Sequence, residues 1–249
     1  MNQPPFEVIA RTSAWWLLHK RAGLSFHRTP HANDLFTALR AHFPDTRFYP
    51  VHRLDQDTSG LLLLATSSEA AATLGSQWQQ RQVEKYYLAL SHRPAKKKRG
   101  WVIGDMQSSR NGNWKLTPQR RQPAVSEFFS FGLGNGLRGF LLKPHTGRTH
   151  QLRVALKSQS APILGDTRYG GQHSDRLYLH AYRLCWEWQD QRLDYCVMPD
   201  HGEHFLSEAR KQKLTTLGDV RQYFQATGDA NTGDHQTNRP NVDDTPPSL

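Results

Sequence analysis

The chain has 249 residues and a formal net charge of +10, with an isoelectric point near 9.8. That length suits one compact domain of about 200 to 220 residues plus a tail. Residues 226–249 carry Asp229, Asp234, Asp243 and Asp244 against Arg239, a net of −3, which leaves +13 on residues 1–225 and favours a polyanionic partner through counterion release.

The two cysteines, Cys185 and Cys196, are too few for a disulfide scaffold. No apolar run reaches the ~18–20 residues of a membrane span, and the opening Met-Asn-Gln-Pro-Pro-Phe lacks a basic start and an apolar signal core. The expected compartment is cytoplasmic, with reduced thiols.

Residues 6–11 and 14–20 read as two short strands broken at Thr12-Ser13. Asn33 or Asp34 caps a helix running to about Phe43, with Leu35, Phe36, Leu39 and Phe43 on one face. Leu61–Ala65 is a buried strand. Ser67 then opens a second helix to about Gln82, striped by Ala71, Leu74 and Trp78, and Val83–Leu90 returns as a strand. This arrangement puts Asp55 in a loop at one edge of a sheet.

Lys96-Lys97-Lys98-Arg99 opens a polar, irregular middle section, either a solvated loop or an RNA-contact loop. Asn111-Gly112-Asn113 and Gly134-Asn135-Gly136 are hairpin turns, the second joining strands Ala124–Phe131 and Leu137–Lys143. Thr149–Lys157 is a short helix. Tyr178–Trp188 and Arg192–Met198 form a late hairpin that carries both cysteines, and Phe205–Gln225 is a helix with a break near Gly218. Residues 226–249 hold almost no large apolar side chain and are expected to be a disordered acidic tail beyond a single domain of residues 1–225.

The most informative segment is His52-Arg53-Leu54-Asp55-Gln56-Asp57-Thr58-Ser59-Gly60 followed by four leucines. A carboxylate at such a bend is fixed by the strand behind it while its oxygens face a cleft. The segment resembles the active-site motif of the RluA family of RNA pseudouridine synthases. Further blocks follow in that family's order: Lys85-Tyr86-Tyr87-Leu88-Ala89, Gly147-Arg148-Thr149-His150-Gln151-Leu152-Arg153, Pro162-Ile163-Leu164-Gly165-Asp166 with Tyr169-Gly170, and Leu179-His180-Ala181. The resemblance covers roughly residues 14 to 206. One departure lies near the start, where the family's Asn-Lys-Pro-x-Gly reads His19-Lys20-Arg21-Ala22-Gly23 here. About 13 residues precede the first matched block, too few for the S4-type RNA-binding module that some members carry.

The resemblance implies an α+β fold with a mixed, largely antiparallel central sheet, flanking helices and a catalytic cleft. It implies isomerisation of uridine in structured ribosomal or transfer RNA to pseudouridine. That reaction cleaves the N1–C1′ bond, turns the uracil and rejoins it through C5, so it needs no cofactor and no metal. Asp55 is implied as the nucleophile or charge stabiliser beside C1′, and Tyr87 as the ring that stacks on uracil and handles a proton. Arg153 is implied to hold Asp55 by bidentate hydrogen bonds.

A uridine within folded RNA must leave its stack. Arg53 is implied to enter the vacated space and His52 to contact the displaced nucleotide or its phosphate. Arg148 and His150 shape the loop or touch phosphate. Leu152 is either a wall of the uracil pocket or helix core. RNA is the expected partner of a monomer that binds neither membrane nor metal. His201 and His204 flank a glycine near Pro199 and read as a solvated loop rather than a ligand pair.

Three classes compete at this point. The first is an RNA uridine isomerase, the second a catalytically inactive RNA-binding protein of the same fold, and the third a glycosidase or nucleosidase using Asp55. The trio Asp55, Tyr87 and Arg153 favours the first, since a mere binder does not require it. The third lacks a second matched acid, Asp57 being only a neighbour.

Overall fold

The computed structural model describes residues 5–26 and 34–224. Residues 226–249, read above as a tail, lie outside the described residues. In chain order the elements are β1 (Phe6–Arg11), β2 (Trp15–Lys20), α1 (Leu35–His42), β3 (Tyr49–Pro50), β4 (Ser59–Ala65), α2 (Ser68–Gln79), β5 (Glu84–Ser91), β6 (Arg99–Ser108), β7 (Trp114–Thr117), β8 (Ala124–Gly134), β9 (Leu137–Pro144), α3 (Gln151–Ser158), β10 (Leu179–Trp188), β11 (Gln191–Cys196), α4 (Glu203–Leu206) and α5 (Glu208–Thr215).

The strands form one sheet in the order β1-β2-β4-β10-β5-β9-β8-β6-β7, with β11 paired to β10 and β3 to β4. Between these strands every ladder is antiparallel except β4–β10, where Ser59 and Gly60 lie beside His180 and Ala181. The fold is therefore the α+β type with a large, mostly antiparallel sheet and few helices.

The leucine run of β4 is explained by burial on both faces. Leu61 and Leu63 pack with Trp15, Leu17 and the α2 residues Ala70 and Leu74, while Leu62 and Leu64 pack with Trp16, Leu18 and the α1 residues Leu35 and Leu39. Both helices are capped as their sequences demand: Asp34 Oδ1 accepts the Thr37 N–H at 2.9 Å, and Ser67 Oγ accepts the Ala70 N–H at 3.1 Å. A third core joins β5, β8 and β9 to α3 and the C-terminal helices.

Three readings need correction. The section after Lys98 is not irregular: β6 runs for ten residues, pairing with β8 from Arg99 to Gly104 and with β7 from Asp105 to Ser108. Its polar composition is tolerated because the two ladders do not overlap, so each stretch of β6 pairs with one neighbouring strand only. The C-terminal helix breaks not only at Gly218, whose φ of +60° no continuing helix allows, but also at Ser207. The Asp55 loop sits at the end of β4, an interior strand, and not at a sheet edge. The late hairpin closes through Gln189 and Asp190, both at positive φ, with Cys185 buried and Cys196 exposed.

Candidate active site

Asp55 leaves the chain where it bends into β4, and the bend is pinned from two sides. The Gln56 carbonyl accepts the Gly23 N–H at 3.0 Å and the Lys20 Nζ at 2.8 Å. Lys20 is fully buried and also donates to the carbonyls of Arg21 and Leu24, at 2.9 and 3.0 Å, so all three protons of its ammonium are used. Burial draws its amine down to about 7, against the pull of Asp57 and Asp55.

The Thr-Ser-Gly turn is equally specific. Gly60 has φ +116°, and a Cβ there would stand 2.3 Å from the Ala181 carbonyl oxygen, so only glycine permits the close parallel approach of β4 and β10. Ser59 Oγ lies 2.8 Å from His180 Nδ1 and accepts from Arg176 Nη2 at 2.6 Å, tying the same two strands through side chains.

These constraints open Asp55 onto a cleft of about 270 Å³ lined by residues of four segments, 52–58, 78–87, 144–153 and Leu179. Tyr87 and Lys85, two apart on β5, both line it, whereas Tyr86 turns away into the core and donates to Glu84 Oε2 at 2.9 Å. Burial and the Asp55 carboxylate raise the Tyr87 hydroxyl far above the usual phenol range, so it stays protonated.

The third side of the cleft is the block before and within α3. Gln151, buried, fastens it: its Oε1 accepts from Thr146 Oγ1 at 2.8 Å and from the Arg148 N–H at 2.9 Å. Its Nε2 donates to the Val125 carbonyl and to Ser126 Oγ. Arg148 is left exposed at the rim. His150 adopts a left-handed conformation with φ +56° at the start of α3. Its Nδ1 lies 2.8 Å from the Tyr169 hydroxyl, which also accepts the Trp114 N–H at 3.1 Å. Burial holds the His150 ring below the usual imidazole range and so disfavours its charged form.

Arg153 differs from expectation. Its bidentate partner is Asp166, through Nε and Nη2 at 2.8 Å each, and only Nη1 approaches Asp55 Oδ2, at 3.6 Å. Asp166 is buried in the turn after Gly165, whose φ of +82° and close approach to the Arg176 carbonyl again require glycine. Asp166 closes the Pro162–Asp166 block, and its pairing with Arg153 across 13 residues leaves no local pattern in the sequence.

His52 also differs. Its Nε2 accepts the Leu63 N–H at 2.9 Å and its ring stacks on Trp78 at 4.4 Å, with burial drawing its pKa down to about 3. The ring is a neutral wall of the cleft rather than a cationic phosphate contact. Arg53 is exposed at the mouth, and Leu152, nearly buried, serves both as cleft lining and as helix core. Asp57 is exposed and does not line the cleft. His201 is exposed, and His204 Nδ1 meets Arg210 at 2.9 Å. Among the described residues no group of three or more His, Cys, Asp or Glu is arranged to hold a metal ion.

The profile of the RNA pseudouridylate synthase family matches residues 14–158, more than half of the chain. The chain belongs to the RNA pseudouridine synthases, of the RluA type.

Among related sequences, an uncharacterized RNA pseudouridine synthase of Haemophilus influenzae is 39% identical over 202 residues, covering 80% of this chain and 90% of the relative. The tRNA pseudouridine synthase C of Pasteurella multocida is 33% identical, covering 74% and 83%. The structure of human RNA pseudouridylate synthase domain containing 1 superposes with a TM-score of 0.67 at 24% identity, covering 86% of this chain and 95% of the human one, which shows the shared fold. The activity class of the pseudouridine synthases is isomerisation of uridine in RNA. No helix among the described residues is long and apolar enough to cross a membrane.

Proposed function

We propose that this chain isomerises specific uridines of folded ribosomal or transfer RNA to pseudouridine, with Asp55, Tyr87 and Arg153 as the acting groups. One observation carries the reading: these three side chains come from separate segments and meet at one cleft in which Asp55 is the sole carboxylate among the lining residues.

Asp55 stands beside C1′ of a uridine turned out of its stack, and stabilises or bonds to the sugar as the N1–C1′ bond breaks. Tyr87 and Leu152 hold the detached uracil while it turns to present C5. After C5 joins C1′, the C5 proton passes to the Tyr87 oxygen as the phenolic proton moves towards Asp55, so the hydroxyl is never required to ionise alone. Uracil N1, which kept the electron pair of the broken bond, takes up a proton from solvent, and the carboxylate returns its own, which restores the enzyme. Arg153 keeps Asp55 oriented and charged between these events. Arg53 at the mouth fills the space left by the displaced base, a role that suits a flat cation able to stack and hydrogen-bond. Arg148 and His150 form the rim over which the RNA backbone passes.

The test is release of the C5 hydrogen from tritiated RNA prepared from cells lacking the gene, with ribosomal and transfer fractions assayed separately. The Pasteurella relative's name makes transfer RNA the first fraction to try. Release accompanied by new pseudouridine supports the reading. RNA binding without release would identify an inactive binder of the same fold.

A further inference from the structure

We infer that Lys85 binds a backbone phosphate of the RNA at the target nucleotide, which makes it a substrate-positioning residue of the cleft. The inference rests on the reading that the cleft receives a uridine. The cleft lining carries Arg53, Lys85, Arg148 and Arg153 against the single acid Asp55.

Three of these cations are accounted for. Arg153 is neutralised by Asp166 behind it, and Arg53 and Arg148 are exposed and solvated. Lys85 is neither. It is half-buried on a regular strand, where it lies opposite Leu184 of β10 and two residues before Tyr87, and among the described residues its ammonium has no hydrogen-bond or ion-pair partner. The groups that act on it electrostatically are not acids. Arg81 repels it, and the neutral His52 ring beside it is itself disfavoured from protonating by the Lys85 charge. Burial, followed by Arg81, draws the amine down to about 8, which leaves it protonated at neutral pH.

An ammonium held partly out of water with no counter-charge is unfavourable in the unliganded protein. The anion it lacks is one the substrate brings with every nucleotide. A neutral uracil carbonyl would accept a hydrogen bond but leave the charge uncompensated. A compact ammonium on a flexible stem is suited to a phosphate oxygen, and its place beside Tyr87 sets the register of the strand as the base enters.

The experiment compares wild type with Lys85→Met and Lys85→Arg in tritium release from the same RNA over a range of KCl concentrations. Lys85→Met is expected to raise KM by roughly tenfold or more at low salt, with kcat little changed. It should flatten the slope of log kcat/KM against log salt by roughly one phosphate contact, about 0.7 to 0.9. Lys85→Arg should recover most of both effects. A raised KM with an unchanged salt slope overturns the inference. So does a loss of kcat at constant KM that arginine fails to rescue, since Lys85 would then be moving a proton.

A second arm does not depend on turnover. With the lysines ¹³C-methylated, the resonance absent from Lys85→Arg is followed by NMR as a short oligouridylate or the nucleoside uridine is added. Movement with the oligonucleotide alone supports the phosphate contact. No movement, or equal movement with the nucleoside, overturns it. If wild type releases no tritium, the function proposed above fails, while this arm still decides what Lys85 binds.

Discussion

Arg153 gives its two-pronged face to Asp166 and a single Nη1, at 3.6 Å, to Asp55. The guanidinium is thus anchored from behind, and its orientation does not depend on the carboxylate it approaches. The same cation lies 5.0 Å from the Tyr169 ring, a second fixed support. Asp55 can change charge or bond to a sugar without releasing the arginine from its place.

Asp55→Asn is therefore expected to abolish C5-hydrogen release while changing stability by no more than about 1 kcal/mol, because the Asp166 pair stays intact. RNA retention on filters should remain near wild type. Activity within tenfold of wild type would remove Asp55 from the mechanism.

Asp166→Asn should act in the opposite proportion. The amide presents a donor where Arg153 needs an acceptor, in a site that water does not reach, so destabilisation of about 2 to 4 kcal/mol is expected in urea titrations. Turnover should also fall, since Nη1 loses its fixed direction. Unchanged stability would mean that the pair is replaceable by solvent.

Much of the centre of this molecule is legible in its sequence. The leucine run of β4, the caps at Asp34 and Ser67 and the alternation of Tyr86 and Tyr87 are local patterns, and each names its element. What could not be read was pairing over distance. Asp166 with Arg153, Lys20 with the Gln56 carbonyl and His52 with Trp78 are set by how strands are ordered, which no periodicity encodes. The long β6 hides for a related reason: each of its stretches pairs with a single neighbour and carries few apolar residues, so its sequence looks like loop. The break at Ser207 has no glycine or proline to announce it.

His180 predicts a pH dependence of stability. It is fully buried, with Nδ1 at Ser59 Oγ and Nε2 2.8 Å from the Val197 carbonyl, and burial draws its pKa from 6.5 to about 3. Between those values the unfolded chain binds a proton that the folded one refuses, so this contribution is complete above pH 6.5 and is lost progressively as the pH falls towards 3. At pH 5 the loss from this one ring is about 2 kcal/mol. His180→Asn should be less stable at pH 7.5, yet show a shallower decline between pH 6.5 and 5. An identical slope in the two proteins would show that the ring is protonated in the fold.

The adjacent tyrosines of β5 separate cleft from core by one residue. Tyr87 lines the cleft, and the Asp55 carboxylate acts on its hydroxyl. Tyr86 donates to Glu84, packs on Phe224 at 5.6 Å and has Lys143 over its ring at 5.1 Å. Tyr87→Phe keeps a ring that stacks on uracil but removes the proton-handling oxygen, so turnover should fall by roughly 10²- to 10⁴-fold with fold and RNA affinity retained. Tyr86→Phe should turn over near normally and lose about 1 kcal/mol of stability, because Glu84 keeps Lys143 and Arg192 as partners. The measurements are single-turnover tritium release and thermal melting of both variants. The reverse outcome would shift the catalytic register by one residue, and normal turnover in both would move the proton transfer off tyrosine altogether.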